Sequence, residues 1–338
     1  MASFIVYHSD ASPAFGDYSI EREQLDRIDA ELRLIEPRKP APELATLMND
    51  ADAVIVGGAP ITAAVMESMP NCKVVVRYGV GVDTLDLEAA TEQGIICAHA
   101  PDFCMEEVGN HALMLMLATV KKLVPLDRAV RDGTWRPGPL SPMPHLHGQT
   151  LGLVACGNIA QALAKRAAAL SMRVIGFDPY IDPELARAAG IELVPTLPDL
   201  LAQSDVVSVH APLSDETRHI IDAAALAAMK PTAHLVNTSR GPTVDEVALV
   251  DALERGEIAG AGLDVFEQEP LRADSPLTTM DNVVLTPHSA SYSDFAFQLL
   301  SRRVGESVVD VLSGHWPRFV ANKGILNALE LEPTRHPD

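Results

Sequence analysis

The sequence predicts an α/β protein with two doubly wound units, each built on a parallel sheet. Short runs rich in β-branched residues recur along the chain and are apolar throughout. Such runs are typical of strands covered on both faces. Helix-prone segments separate consecutive runs, which indicates parallel neighbours. A chain of 338 residues is also long for one hydrophobic core, so two domains are expected.

Eleven runs carry this pattern, in two groups. The first group is FIVYHS (4–9), LRLIEP (32–37), AVIVGG (53–58), KVVVRYG (73–79) and GIICAHA (94–100). The second group is TLGLVACG (150–157), RVIGFDP (173–179), DVVSVHAP (205–212), HLVNTSRG (234–241), GAGLDVF (260–266) and NVVLTPH (282–288). Each group is long enough to form one sheet.

The segment between the two groups has a different composition. Residues Glu106 to Leu123 contain no helix breaker after Asn110 and end on basic residues, which predicts a helix. The segment from Gly133 to Gly148 is too rich in proline for a helix or a central strand. It is either a solvent loop or a contact with a partner subunit.

The charge and cysteine content exclude several classes of function. The net charge of −20, from 46 acidic and 26 basic side chains, opposes a general affinity for nucleic acid or anionic lipid. The four cysteines form no C-x-x-C pair, so no structural metal site is expected. The first residues do not resemble a secretory signal, and no stretch is apolar for the eighteen or so residues of a membrane span. A soluble, cytoplasmic protein is expected.

The stretch LGLVACGNIA (151–160) resembles a dinucleotide-binding turn without its first glycine. The chain has Ala155-x-Gly157-x-x-Ala160 where the pattern G-x-G-x-x-G is expected, between a strand and a helix. Gly157 occupies the place of closest approach to a pyrophosphate, and alanine is accepted at the third position. Taken alone, this turn is equally compatible with an ordinary strand-to-helix connection.

An acid at the end of the next strand favours the nucleotide interpretation. Asp178 follows the run VIGF, twenty-one positions after Gly157. A carboxylate there accepts hydrogen bonds from ribose hydroxyls and repels a 2′-phosphate, and no arginine directly follows it. The predicted cofactor is therefore NAD rather than NADP.

Three ionisable residues follow later strands. Arg240 lies in VNTSRG, Glu269 in LDVFEQEP and His288 in LTPHSA. Taken singly, Arg240 is more typical of a surface turn, Glu269 of a solvated loop acid and His288 of a strand exit. Because the carboxyl ends of parallel strands meet at one edge of a sheet, together they indicate a catalytic site. An arginine there can bind a carboxylate, and a histidine beside an acid can transfer a proton.

The motifs VNTSRG, GAGLDVFEQEP and LTPHSA, in this order after the nucleotide turn and VIGFDPY, resemble those of the D-isomer-specific 2-hydroxyacid dehydrogenases. RYGVGVDTLD (77–86) and PDFCMEEVGNHAL (101–113) resemble the same family, so the likeness runs from about residue 77 to residue 293. The ending PHSASYS resembles the C-terminal-binding-protein-like branch, which includes transcriptional co-repressors. Ser291 departs from that branch, whose members often carry tryptophan there.

The resemblance implies a domain arrangement that the periodicity does not show. A flavodoxin-like substrate domain comprises residues 1–100 and 290–338. A Rossmann-type NAD-binding domain, residues 101–289, is inserted into it. Residues 103–149 include a dimerisation helix and the proline-rich arm, so a homodimer is implied.

The resemblance also implies roles for individual residues. Arg240 binds substrate, His288 is the acid/base and Glu269 is its partner. Arg77, Val80 and Gly81 bind the substrate carboxylate. Cofactor contacts are implied for Gly157, Asn158, Ile159, Asp178, Pro212, Thr217, Thr238 and Asp264, the last of which faces the nicotinamide amide.

These residues, together with the resemblance, predict hydride transfer between NADH and a small 2-oxo acid. The resemblance alone implies that the product is the D-2-hydroxy acid. Two other functions stay open. One is a non-enzymatic NAD(H)-sensing protein like the co-repressors, and the other is a related dehydrogenase with an altered donor such as phosphite. The substitution Ala155 affects the nucleotide turn rather than the fold, because its methyl group is costly only where φ is positive.

Overall fold

The computed structural model describes residues 2–12, 16–37, 39–135 and 143–336. The chain forms two compact units, Met1–Cys104 with Ser293–Asp338, and Met105–Tyr292. The chain passes from one unit to the other at positions 104 and 292, where the sequence places the boundaries at 100 and 289. Residues 136–142 of the proline-rich segment lie outside the described residues.

The first unit is built on a five-stranded parallel sheet in the order β2-β1-β3-β4-β5. Its strands are β1 (Phe4–His8), β2 (Ala30–Leu34), β3 (Ala53–Val56), β4 (Val74–Arg77) and β5 (Ile96–Ala98). Its helices are α1 (Ser19–Leu25), α2 (Ala41–Leu47), α3 (Ala63–Glu67), α4 (Leu87–Glu92) and the long C-terminal helix α12 (Asp294–Leu312), which packs against α1. This strand order is the flavodoxin-like one.

The second unit is built on a seven-stranded parallel sheet in the order β12-β11-β10-β9-β6-β7-β8. Its strands are β6 (Thr150–Val154), β7 (Arg173–Phe177), β8 (Glu192–Leu193), β9 (Val206–Val209), β10 (His234–Asn237), β11 (Gly260–Leu263) and β12 (Val283–Leu285). Its helices are α5 (Met105–Val120), α6 (Leu123–Arg131), α7 (Asn158–Ala169), α8 (Pro183–Ala188), α9 (Leu197–Gln203), α10 (Ala223–Ala228) and α11 (Glu246–Glu254). The strand order reverses between β6 and β9, as in a Rossmann-type sheet.

Burial explains why the predicted strands form. Every residue of β3, β6, β9, β10 and β11 is buried, as expected for strands covered by helices on both faces. All eleven predicted strands are present, so the predicted fold class is confirmed. The short strand β8 was not predicted, because two residues, one of them charged, carry no periodic signal.

The predicted helix 106–123 ends earlier than expected. Helix α5 ends at Val120, and Lys122 adopts a left-handed conformation with φ 53° before α6 begins. Pro125, in the first turn of α6, has no N–H with which to continue the hydrogen bonds of α5, so it marks this break, although the left-handed residue itself is not a glycine. Among the described residues, no helix is long and apolar enough to cross a membrane, and no group of three histidine, cysteine or acidic side chains could hold a metal ion.

We expect a buried histidine to make the first unit sensitive to acid. The side chain of His8, at the end of β1, is fully buried beside the rings of Tyr18 and Tyr78, at 4.9 and 5.5 Å between centroids. Its ring nitrogens have no hydrogen-bond partner among the described residues. Burial lowers the pKa of His8 to about 4, although the charge of Asp10 acts in the opposite direction.

We expect the substitution His8→Phe to remove this sensitivity. The unfolded chain binds a proton at His8 below about pH 6.5, whereas the folded chain binds it only near pH 4, so stability falls between these values. A pKa that differs by one between the folded and unfolded chains corresponds to about 1.4 kcal/mol. In thermal denaturation, the advantage of the variant over the wild type should grow from pH 7 to pH 4.5. A difference that stays constant with pH would contradict this account.

Candidate functional site

The predicted site residues of the second unit follow the carboxyl ends of its strands. Because the strands are parallel, these ends share one edge of the sheet. The residues are Gly157, Asn158 and Ile159 after β6, Asp178 after β7, Pro212 and Thr217 after β9, Thr238 and Arg240 after β10, Asp264 and Glu269 after β11, and His288 after β12. The nucleotide turn therefore lies at the point where the strand order reverses, where open α/β sheets bind ligands.

Two of the predicted catalytic residues are hydrogen-bonded to each other. Nδ1 of His288 lies 2.7 Å from Oε2 of Glu269, and the other carboxylate oxygen accepts the N–H of Phe266 at 3.1 Å. Burial raises the pKa of Glu269, but the hydrogen bond from His288 and the charges of His288 and Arg240 outweigh it and lower the pKa below its usual range. Glu269 is therefore a carboxylate that can stabilise a protonated imidazole.

The loop of Arg240 lies against the segment that carries Glu269. A Cβ atom on Gly241 would lie 1.9 Å from the backbone carbonyl carbon and oxygen of Phe266, so only glycine fits there. The carbonyl of Arg240 accepts hydrogen bonds from Asn237 Nδ2 at 3.0 Å and Thr243 Oγ1 at 2.7 Å. The guanidinium group donates to the carbonyl of Ser239 at 2.8 Å. These contacts fix the backbone from which Arg240 extends.

Asp264, the first residue after β11, is fully buried. Its two carboxylate oxygens accept the backbone N–H groups of Ser289 and Ala290, both at 2.9 Å. Burial opposes its charge, but hydrogen bonds from His111, Thr286 and these two amides lower the pKa of Asp264. Its predicted contact with the nicotinamide amide stays a prediction, since both oxygens already serve the protein.

The nucleotide turn is strained at the position of the missing glycine. Ala155 has φ 68°, in the left-handed region where a Cβ atom costs about 1–2 kcal/mol. Its N–H donates to Phe177 at 2.9 Å, and the next N–H, of Cys156, donates to Asp178 at 2.8 Å. The turn thus keeps the geometry that glycine would adopt. The buried thiol of Cys156 has its pKa raised to about 12, by burial first and then by Asp178, which fits a packing role.

Gly157 is not required by the protein itself. Its φ of −66° and ψ of −173° suit any residue, and a Cβ atom there would meet no described atom within 4 Å. Helix α7 begins directly after it without a side-chain cap, so its first N–H groups are available to an anion. The buried hydroxyl of Thr238 also has no hydrogen-bond partner among the described residues. Both features fit a bound dinucleotide.

The remaining predicted cofactor residues form two small hydrogen-bonded loops. Asp178 accepts the N–H groups of Tyr180 and Ile181 at 2.8 and 3.1 Å as well as that of Cys156, and its carboxylate is half-buried. After β9, the hydroxyl of Thr217 donates to the carbonyl of Pro212, which closes the loop between them. Each loop is therefore held in one conformation at the sheet edge.

In the first unit, the predicted carboxylate-binding loop follows β4. Arg77 donates to the carbonyl of Tyr78 at 3.0 Å, and Val80 and Gly81 are partly exposed. Nδ1 of His99 lies 2.8 Å from the carbonyl oxygen of Val80, to which it must donate, and so holds the loop. The roles of Arg77, Val80 and Gly81 in binding substrate stay predictions.

The sequence did not reveal three further residues at this edge and loop, two histidines and a threonine. His99 supports the loop of the first unit, and His111 on α5 bonds to Thr286, 175 positions away in the chain. A lone histidine on an amphipathic helix carries no signal of such a partner. Thr286 stands two residues before His288 in LTPH, which is the one clue that the sequence contains.

We expect two substitutions in the nucleotide turn to separate the stability of the protein from its affinity for NADH. Ala155→Gly removes the left-handed strain and should stabilise the protein by about 1 kcal/mol, after subtraction of the glycine entropy cost. Gly157→Ala should leave the melting temperature unchanged or slightly raised, because the methyl group meets no protein atom.

Gly157→Ala should nevertheless weaken NADH binding at least tenfold, because its methyl group occupies the space of the pyrophosphate. Calorimetric titration with NADH and thermal denaturation would measure the two effects on the same samples. Ala155→Gly serves as the matched control, since it changes the same turn without adding an atom. Unchanged NADH affinity in Gly157→Ala would contradict the assignment of this turn.

The chain is similar to dehydrogenases and reductases. Residues 113–290 match the family model for the NAD-binding domain of D-isomer specific 2-hydroxyacid dehydrogenases. The chain is 41% identical over 281 residues to D-3-phosphoglycerate dehydrogenase of Methanocaldococcus jannaschii, which covers 83% of this chain and 53% of that protein. It thus spans about half the length of that relative.

Two other relatives match over nearly their whole length. Glyoxylate reductase of Korarchaeum cryptofilum is 39% identical over 296 residues, 87% of this chain and 86% of that protein. The structure of the NADPH-dependent glyoxylate/hydroxypyruvate reductase of Sinorhizobium meliloti, with NADP and malonate, superposes with a TM-score of 0.83 at 32% identity, over 94% of this chain and 96% of that one. The chain therefore belongs to the D-isomer specific 2-hydroxyacid dehydrogenase family of NAD(P)-dependent oxidoreductases, as its motifs predict.

Proposed function

We propose that this protein reduces a small 2-oxo acid with NADH and oxidises the D-2-hydroxy acid in the reverse direction. The observation that carries the proposal is the His288–Glu269 hydrogen bond of 2.7 Å, on the same sheet edge as the turn of Gly157. When bound, the nicotinamide supplies the hydride. The protein has to bind the acid, orient its carbonyl group and supply one proton.

His288 is the proton donor in this proposal. Because Nδ1 faces Glu269, the proton for the substrate oxygen is held at the other ring nitrogen, Nε2. The carboxylate of Glu269 stabilises the charged ring and fixes its orientation. In the reverse direction the same nitrogen accepts the hydroxyl proton.

Arg240 is the residue that orients the substrate. A guanidinium group forms two parallel hydrogen bonds with a carboxylate, which a lysine cannot do. Arg240 acts by positioning the substrate, since it holds the carbonyl carbon where the hydride can be transferred to it. The positive charge of Arg240 also contributes to the low pKa of Glu269, so the two side chains are electrostatically coupled.

The relatives that the chain matches over most of their length support a choice of substrate class. Its likeness to glyoxylate reductase extends over 86% of that enzyme, whereas it spans only 53% of the phosphoglycerate dehydrogenase. We therefore favour short unphosphorylated acids, glyoxylate and hydroxypyruvate, over a phosphorylated one. Assignment to the C-terminal-binding-protein-like branch stays a prediction from the ending PHSASYS.

NADH is proposed as the cofactor rather than NADPH. The carboxylate of Asp178 would repel a 2′-phosphate, and the hydroxyl of the next-but-one residue, Tyr180, donates to Glu216 at 2.5 Å, so a second acid lies nearby. The similar reductase of Sinorhizobium meliloti is NADPH-dependent. The preference is therefore a property to be measured on this chain, by the ratio of kcat/KM for the two cofactors.

We also propose a homodimer formed through α5 and α6. Leu123 and Val130 are seven positions apart on α6, hence on one face, and their side chains are 57% and 54% exposed. Met114 on α5 and Trp135 after α6 are exposed as well. Apolar side chains grouped in this way are typical of a surface that a partner covers.

Sedimentation velocity should therefore give about twice the chain mass of 36.2 kDa. The double substitution Leu123→Glu and Val130→Glu should shift the protein towards the monomer, because it places charges in the contact. Val247→Glu on α11 is the matched control, since Val247 is 73% exposed outside this surface. A monomeric wild type, or a mutant that stays dimeric, would refute the proposed surface.

The catalytic proposal is tested by NADH oxidation with glyoxylate, hydroxypyruvate, pyruvate and bulkier 2-oxo acids. We expect His288→Ala to lower kcat by about 100- to 10,000-fold, the range of general acid catalysis. Glu269→Gln should lower kcat less, and Arg240→Lys should raise KM for the acid through loss of the second hydrogen bond.

His219→Ala is a matched control for the histidine. His219 also bonds to a glutamate, Glu267, at 2.6 Å in the same unit, but the described partners of its side chain, Glu267 and Asp245, are not among the predicted site residues. Its loss should leave kcat unchanged. Tight NADH binding without turnover would favour the NAD(H)-sensing function, and reduction of NAD by phosphite alone would favour an altered donor.

A further inference from the structure

A polar cluster behind the proposed acid/base connects it to helix α5. The side chain of His111 is 13% exposed, and its Nε2 lies 2.9 Å from Thr286 Oγ1 and 3.3 Å from Asp264 Oδ1. The hydroxyl of Thr286 lies 2.6 Å from the same oxygen of Asp264. The three residues come from α5 and from the segments that follow β12 and β11.

The hydrogen-bond directions in this cluster follow from the donors available. Asp264 is ionised, because its hydrogen bonds lower its pKa despite its burial, so it can only accept. Thr286 therefore gives its single hydroxyl proton to Asp264. Its oxygen must then accept from His111, which places a proton on Nε2 of that ring. The donor or acceptor role of each side chain in the cluster is therefore determined by the other two.

The cluster ends at the backbone of His288. The carbonyl of Asp264 accepts the N–H of His288 at 2.8 Å, and its carboxylate accepts the next two N–H groups, of Ser289 and Ala290. His288 has φ 52°, a left-handed conformation that is costly for a residue with a side chain. Three consecutive hydrogen bonds to one residue offset this cost and set the direction in which the imidazole extends.

We propose that His111 is a positioning residue for the acid/base: through Thr286 and Asp264 it holds His288 in its left-handed turn, within hydrogen-bond distance of Glu269. The kinetic consequence rests on the proposed function. The structural consequence does not, because the position of His288 can be observed without any substrate. The contacts described for the side chain of His111 are with Thr286 and Asp264, so its effect reaches the reaction through this cluster.

The first test compares His111→Phe with His111→Gln. Phenylalanine keeps the ring volume but removes the donor, whereas the amide of glutamine can place an N–H near the position of Nε2. We expect His111→Phe to lower kcat about 10- to 100-fold, the usual cost of a misplaced catalytic group, with KM for the 2-oxo acid within threefold of the wild type. His111→Gln should recover most of kcat.

Substitutions at two further positions control for packing and folding. Thr119→Val changes another buried polar residue of α5, whose hydroxyl donates to the carbonyl of Leu115 in the same helix. It should leave kcat unchanged even if it lowers the melting temperature. Thr286→Val removes the central hydroxyl at constant volume and should reproduce His111→Phe, while Thr286→Ser should not. This second pair keeps the proposal testable if His111→Phe does not fold.

Crystal structures of the variants without ligands give a readout that is independent of turnover. In His111→Phe and Thr286→Val we expect His288 to leave the left-handed region and its Nδ1 to move beyond 3.5 Å from Glu269 Oε2. An unchanged turn together with unchanged kcat in folded variants would overturn the proposal. If the wild type reduced no 2-oxo acid, the proposed function would fail, while the structures would still decide the role of His111.

Discussion

The buried negative charge of Asp264 is the constraint on which the sheet edge depends. A carboxylate removed from water is stable only when hydrogen-bond donors surround it. Here the donors are the hydroxyl of Thr286, the ring of His111 and the amides of Ser289 and Ala290. Because both amides belong to the residues directly after His288, the charge of Asp264 determines the path of the backbone at the proposed acid/base.

The same edge carries backbone strain at two positions. Ala155 and His288 both have positive φ, although neither is glycine. At Ala155 the strain maintains a nucleotide turn, and at His288 it aims an imidazole at Glu269. Such strain persists when the surroundings determine the conformation more strongly than the local preference does. Here the fully buried strands β6 and β11, together with Asp264 and Asp178, hold the two residues in their left-handed conformations.

Much of this site could be predicted because each residue follows a strand. Parallel strands bring their carboxyl ends to one edge, so Arg240, Glu269 and His288 could be grouped from their positions in the chain. The hydrogen bond of 2.7 Å between His288 and Glu269 is the contact through which this group of residues could transfer a proton. His99, His111 and Thr286 were not predicted as site residues, because hydrogen bonds between distant segments leave no periodic trace. The break at Lys122 between α5 and α6 was missed because Lys122 is not a glycine, and the proline that marks the break, Pro125, lies two residues beyond the predicted end of the helix.

The sequence by itself determined the strand and helix pattern, the nucleotide turn with its missing glycine, and the residue types of the proposed chemistry. These properties depend on neighbours within a few positions, or on the regular geometry of parallel strands. Only the tertiary structure decided that Ala155 is strained, that Gly157 faces open space and that Asp264 is buried beneath His288. The reason is physical: φ, burial and the direction of a hydrogen bond depend on atoms that packing brings together from distant parts of the chain.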